Sequence, residues 1–171
     1  MGFTELNSVE HYIIHQMTGV NLNASLNSNQ VKEPQLQGFG VQWQFQSPEQ
    51  LGRGVNEVLV ESVLVRALIR LNPEIEANPN LADEVIHKLR AILISVNQVG
   101  LVKANEEFFA WMTGEKTMPF GENNRHVPVN LIDFDDFTRN DYVVTNQFRI
   151  HHRETKIPDV VLMINGIPVV I

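Results

Sequence analysis

Ile157-Pro158-Asp159-Val160-Val161-Leu162-Met163-Ile164-Asn165-Gly166-Ile167-Pro168-Val169-Val170-Ile171 closes the chain and decides how the rest of it is read. Two apolar runs flank Asn165-Gly166, a pair that accepts the positive φ angles of tight hairpins, so the stretch predicts two antiparallel strands. Asp159 stands near the start of the first. A carboxylate at the edge of a buried hairpin is either a capped structural acid or half of a metal site.

Working back from the hairpin, Val127 to Ile132 and Tyr142 to Ile150 also read as strands. Asp133, Asp135, Asp136 and Asp141 could offer oxygen ligands to a hard cation, but with Asn140 among them they read better as a turn of Asx-type residues. His151, His152, Arg153 and Lys156 gather positive charge beside Asp159. They form either a solvated loop or a hold on a phosphate backbone.

The middle of the chain is helical. Val55 to Leu71 predicts a buried helix stopped by Asn72-Pro73, and Val58, Leu59, Val63, Val65, Leu68 and Ile69 cover more than one of its faces. A second helix starts near Asn80, carries Asp83 and Glu84 in its first turn, and directs Val85, Leu89, Ile92, Leu93 and Val96 inward. A third, over Ala104 to Met112, ends at Gly114, with Phe108, Phe109 and Trp111 expected in the core.

Toward the N-terminus, a helix is expected after Asn7-Ser8 to about Met17, with Val9, Tyr12, Ile13 and Met17 on one face and Gly19 as its stop. Glu10 then reads as a capping-box-like carboxylate or a solvated one. Residues 21–54 form a long polar loop with one short strand at Val41 to Phe45. The pattern is α+β: residues 1–20 a first helix, 21–54 a loop-rich insertion, 55–114 a helical insert and 126–171 a β-meander, all in one domain.

Composition narrows the function. The 171 residues are 43% hydrophobic and 19% charged, enough for a packed core. A formal charge of −7 argues against coating nucleic acid by bulk positive charge, so any DNA contact must be local. The absence of cysteine excludes disulfides and thiolate zinc sites. His11 and His15 lack the glutamate placement of a zinc helix, and no phosphate-binding glycine loop or nucleophile elbow is present. No signal peptide or apolar run of about 18 residues is visible, so the expectation is a cytoplasmic protein without a membrane partner.

From Leu71 onward a resemblance emerges. Leu71-Asn72-Pro73-Glu74-Ile75, Lys103-Ala104-Asn105-Glu106-Glu107-Phe108-Phe109 with Thr113-Gly114, Val129-Asn130-Leu131-Ile132-Asp133-Phe134, Asn140-Asp141-Tyr142-Val143-Val144-Thr145-Asn146-Gln147-Phe148 and Pro158-Asp159-Val160-Val161-Leu162 with Asn165-Gly166-Ile167-Pro168 occur in this order. Together they resemble the N-terminal region of the restriction (R, or HsdR) subunit of type I restriction-modification enzymes, in the PD-(D/E)XK nuclease group. The resemblance implies a restriction-endonuclease-like fold and a DNA-cleaving module ahead of ATP-driven motor domains, ATP serving only those domains. It further implies Mg²⁺ as cofactor, and DNA together with methylation and specificity subunits as partners.

By the same resemblance, Asp159 is the motif aspartate, and Glu10 is the best match for the acid on the family's first helix. Both would be catalytic metal ligands, with His152, Arg153 and Lys156 contacting DNA. A glutamate and a lysine separated by one residue are expected just past Ile171. This chain by itself is therefore expected not to cleave DNA, whereas the full subunit would. A non-catalytic docking or DNA-contacting module, with structural acids, is the alternative.

Register sharpens the expectation. A plain two-residue Asn165-Gly166 turn would set the position just past Ile171 opposite Asp159 and leave the family's glutamate, one residue later, on the other face. One extra residue, as a three-residue loop or a glycine bulge, would correct the parity. A longer or bulged turn is therefore expected.

Overall fold

The computed structural model describes residues 5–22, 41–152 and 154–171. Its contacts group into two compact units, Met1–Val60 with Asp141–Ile171, and Glu61–Asn140. The class is mixed α+β, with five α-helices among the described residues.

The first unit holds α1 (Glu5–Thr18) and a sheet of β1 (Gln44–Phe45), β4 (Tyr142–Asn146), β7 (Val160–Ile164) and β8 (Ile167–Val170) in the order β1-β4-β7-β8. β4, β7 and β8 form the expected antiparallel meander. β1, shorter than its predicted run, adds parallel to β4, and Trp43 beside it packs edge-on against Tyr142 at 5.2 Å.

Asn165 (φ 52°) and Gly166 (φ 79°) are both left-handed, so the β7–β8 turn is a two-residue turn of the kind that matches strand twist. Asn165 is fully buried and tied to the head of β4: its N–H donates to the Asp141 carbonyl (2.9 Å), and its Oδ1 accepts from the Asp141 N–H (2.8 Å). Ile164 pairs with Ile167 and Met163 with Pro168, so the expected longer turn is not formed. The extra residue lies further on. The register shifts before Leu162 pairs with Val170, leaving Val169 as the unmatched residue of β8. Pro168 fits there because it occupies a non-hydrogen-bonded pair on an edge strand, where its missing N–H would face outward.

Two further expectations in this unit are corrected. α1 starts earlier than Asn7-Ser8, so Glu10 lies mid-helix rather than in a capping box, and among its residues of described burial Glu10 and Ile14 are the buried ones. Val9 and Tyr12 are 61% and 62% exposed, with Ile13 also outward. A one-turn step from Glu10 to Ile14 defines a face as regular as the apolar stripe, and periodicity alone does not say which face meets the sheet. The helix ends as expected, with Gly19 left-handed and donating to the His15 carbonyl.

The predicted strand Tyr142 to Ile150 is also broken. Gln147 turns left-handed (φ 48°), β4 stops at Asn146, and the chain enters a separate hairpin of β5 (Ile150–His151) and β6 (Thr155–Lys156).

The second unit contains α2 (Glu61–Leu71), α3 (Pro73–Ala77), α4 (Leu81–Val99), α5 (Leu101–Met112) and a small sheet of β2 (Thr117–Met118) with β3 (Val127–Pro128). α2 starts after the predicted Val55, because Glu57 folds back: its carboxylate accepts from the Gly54 N–H, and its own N–H donates to the Gly54 carbonyl. Val63, Leu64, Ala67, Leu68 and Leu71 form its buried stripe. The Asn72 amide ends it by donating to the Leu68 and Asn130 carbonyls while its Oδ1 accepts from the Asn130 N–H, and Pro73 opens α3.

α4 begins where predicted and buries Ala82, Val85, Ile86 and Leu89, but its second half does not follow. Leu93, expected inside, is an exposed large apolar residue, and Ile94 is more so. In α5, Ala104 and Trp111 are buried whereas Phe109 is exposed, so only part of the predicted aromatic core is core. The predicted strand Val127 to Ile132 survives as β3 alone, although Val129, Leu131 and Ile132 stay buried in irregular backbone.

Asp133 is the hub of the predicted turn. Its carboxylate accepts from the Asp135 and Asp136 N–H groups and from Arg139, and the Asp136 N–H above all holds it below the usual carboxylate range. No helix among the described residues is long and apolar enough to cross a membrane.

Candidate active site

Glu10 is 4% exposed, and burying a carboxylate is costly unless hydrogen bonds replace its water. Two amides do so. Asn146 Nδ2 donates to Oε1 at 2.6 Å and Gln147 Nε2 to Oε2 at 3.2 Å, both from the end of β4. Among the described residues no cation pairs with Glu10, and the two amides are what hold its oxygens.

Asp159 lies just before β7, where its carbonyl accepts from the Gln147 N–H at 3.1 Å, next to a Phe148 N–H to Pro158 carbonyl bond of 3.0 Å. Its side chain is exposed and has no hydrogen-bond partner among the described residues. The fold thus brings two acids, far apart in sequence, to one end of β4, linked through Gln147. Among the described residues no group of three or more His, Asp or Glu is placed to hold a metal ion. The pair supplies only carboxylate oxygens, the donor type of hard divalent cations.

The expected basic cluster is a hairpin rather than an open loop. His151 in β5 bonds Thr155 Oγ1 through Nδ1 at 2.9 Å, the His152 N–H donates to the Glu154 carbonyl, and Lys156 in β6 forms an exposed ion pair with Glu154 at 3.1 Å. Such a surface pair is weak and exchanges readily. Arg153 lies outside the described residues.

Sequence reasoning missed Arg53. Its guanidinium stacks on the Phe148 ring at 3.5 Å and donates to the Gly54, Glu57 and Arg149 carbonyls, fixing the base of the β5–β6 hairpin. Burial lowers its pKa below the ordinary arginine value. It also missed Asn146 and Gln147 as partners of Glu10. The available signal was an amide pair ending an apolar strand run.

A mixed α+β chain whose first helix delivers a buried acid to the end of an antiparallel meander, where Gln147 also bonds the backbone of a second acid, is thus defined by its geometry. Residues 26–171 match the family described as type I restriction enzyme R protein N terminus (HSDR_N), and the chain belongs to that family. It is also 28% identical over 100 residues to a Methanocaldococcus jannaschii protein provisionally named the type I restriction enzyme MjaIXP endonuclease subunit. That alignment covers 55% of this chain and 10% of the relative, so the chain spans a small part of the relative's length. No solved structure matches it significantly.

Proposed function

We propose that this chain is the N-terminal part of the endonuclease domain of a type I restriction enzyme R subunit, with a PD-(D/E)XK core. In the full-length, ATP-driven complex the domain would cleave foreign DNA by Mg²⁺-dependent phosphodiester hydrolysis. The observation that carries this reading is that Glu10, buried on α1, and the backbone of Asp159 both bond Gln147 at the end of β4. The β8 bulge supports it. Continuing the ladder outward from Leu162–Val170, Asp159 falls opposite the second position past Ile171, the one at which the family's glutamate is expected, so the two acids would share a face.

The donor set fits Mg²⁺, which binds through one or two carboxylates and keeps waters and phosphate oxygens in its remaining positions. Glu10 and Asp159 would hold it; bound there it would polarise the phosphodiester and acidify the attacking water. Asn146 and Gln147 hold the Glu10 carboxyl in orientation, while Asp159 remains open to solvent and substrate. His152, Arg153 and Lys156 would meet the phosphate backbone. DNA and the methylation and specificity subunits of a cytoplasmic restriction complex would be the partners, with ATP confined to motor domains elsewhere in the subunit.

The test is the assembled restriction enzyme with Asp159→Ala or Glu10→Gln in its R subunit. Loss of DNA cleavage by both, with ATP hydrolysis retained, is expected. Full cleavage by both would overturn the reading. A second reading, with structural acids in a docking module, draws on the two amide bonds made by the buried Glu10, and it expects that second outcome.

A further inference from the structure

We propose that Gln147 is a positioning residue that sets the Glu10 carboxylate relative to Asp159 for a shared divalent cation; this rests on the reading of the two acids as ligands. Three observations converge on it. Gln147 is left-handed at φ 48°, a conformation that costs an L-residue with a long side chain and that glycine or asparagine adopts more easily. Its backbone N–H holds the Asp159 carbonyl at 3.1 Å. Its side-chain amide holds Glu10 Oε2 at 3.2 Å. One strained residue therefore touches both acids, one through the main chain and one through the side chain.

The chemistry of the contact favours a cation. A lysine or arginine at this place would neutralise Glu10 and compete with a metal, whereas an amide donates a hydrogen bond and leaves the negative charge in place. An ionised carboxylate has about four lone-pair positions, and the Asn146 and Gln147 amides use one on each oxygen, so both oxygens keep acceptor capacity. The shorter bond from Asn146, 2.6 Å, anchors the carboxylate. The bond from Gln147 fixes its rotation and ties it to the residue whose N–H holds the Asp159 carbonyl.

The variant that isolates this role is Gln147→Gly, which keeps the left-handed backbone and the N–H to Asp159 and removes only the side-chain amide. Mn²⁺ binding to the 171-residue chain, followed by electron paramagnetic resonance, is expected to weaken about tenfold, the usual scale for losing a partner that orients a metal ligand. The thermal midpoint should stay level or rise as strain is relieved. A purely structural role would leave Mn²⁺ affinity unchanged, and that result would overturn the proposal. Glu10→Gln and Asp159→Asn separate it from the reading beneath it. If they abolish Mn²⁺ binding while Gln147→Gly does not change it, only the role of Gln147 fails; if wild type binds no better than either, the ligand pair fails and the proposal with it. Should Gln147→Gly not fold, Gln147→Asn, which also suits the left-handed backbone but is one methylene shorter, carries the same expectation.

Discussion

Thr145 is fully buried on β4 with no hydrogen-bond partner for its hydroxyl among the described residues, between the buried Val144 and opposite Val161. An unsatisfied hydroxyl in such surroundings loses its water and gains nothing in return. Thr145→Val should therefore stabilise the chain by about 1 kcal/mol, read as a higher urea midpoint at unchanged slope. Two positions along, Gln147 does the opposite: it is strained, and among the described residues its backbone N–H and its side-chain amide each bond one of the two acidic residues. Asn165 illustrates what a single residue type contributes to a fold, since its side chain supplies both the left-handed turn and the tie to Asp141.

At the scale of elements, α1 divides its faces in a way that mutation should expose. Ile14→Ala removes a fully buried side chain and should cost roughly 2–5 kcal/mol, whereas Tyr12→Ala on the outward stripe should change stability by less than about 0.5 kcal/mol; chemical denaturation of the two variants distinguishes them. The Asp133 turn makes a prediction in pH. Its folded pKa is lowered by the Asp136 and Asp135 N–H groups and Arg139, so its stabilisation is present above the ordinary carboxylate pKa and fades as pH falls through the lowered value. Asp133→Asn should be less stable than wild type near neutrality, and the gap should close in acid, as urea unfolding over a pH series would show.

For the whole molecule, a charge of −7 means that contact with DNA must come from a local patch. If the β5–β6 hairpin is that patch, Lys156→Ala in the assembled enzyme should weaken DNA binding at all sequences alike and reduce the slope of log affinity against log salt by about one. An unchanged slope would remove Lys156 from the interface.

The sequence by itself determined the α+β order, the hairpin at Asn165-Gly166, the start of α4, the stops at Gly19, Asn72-Pro73 and Gly114, and the Asp133 turn. These depend on local backbone preferences and short-range hydrogen bonds, which a few neighbouring residues specify. Only the tertiary structure decided the rest: that α1 buries Glu10 and Ile14 instead of its apolar stripe, that β1 joins β4 in parallel, and that Arg53 closes over Phe148. The parity correction likewise sits at Val169 rather than in the turn. All but the last are settled by a partner distant in the chain, and the bulge by how the two strands of the hairpin pair. The candidate site is the clearest case, because Glu10, Asn146, Gln147 and Asp159 meet only after the helix has docked and the strands have paired.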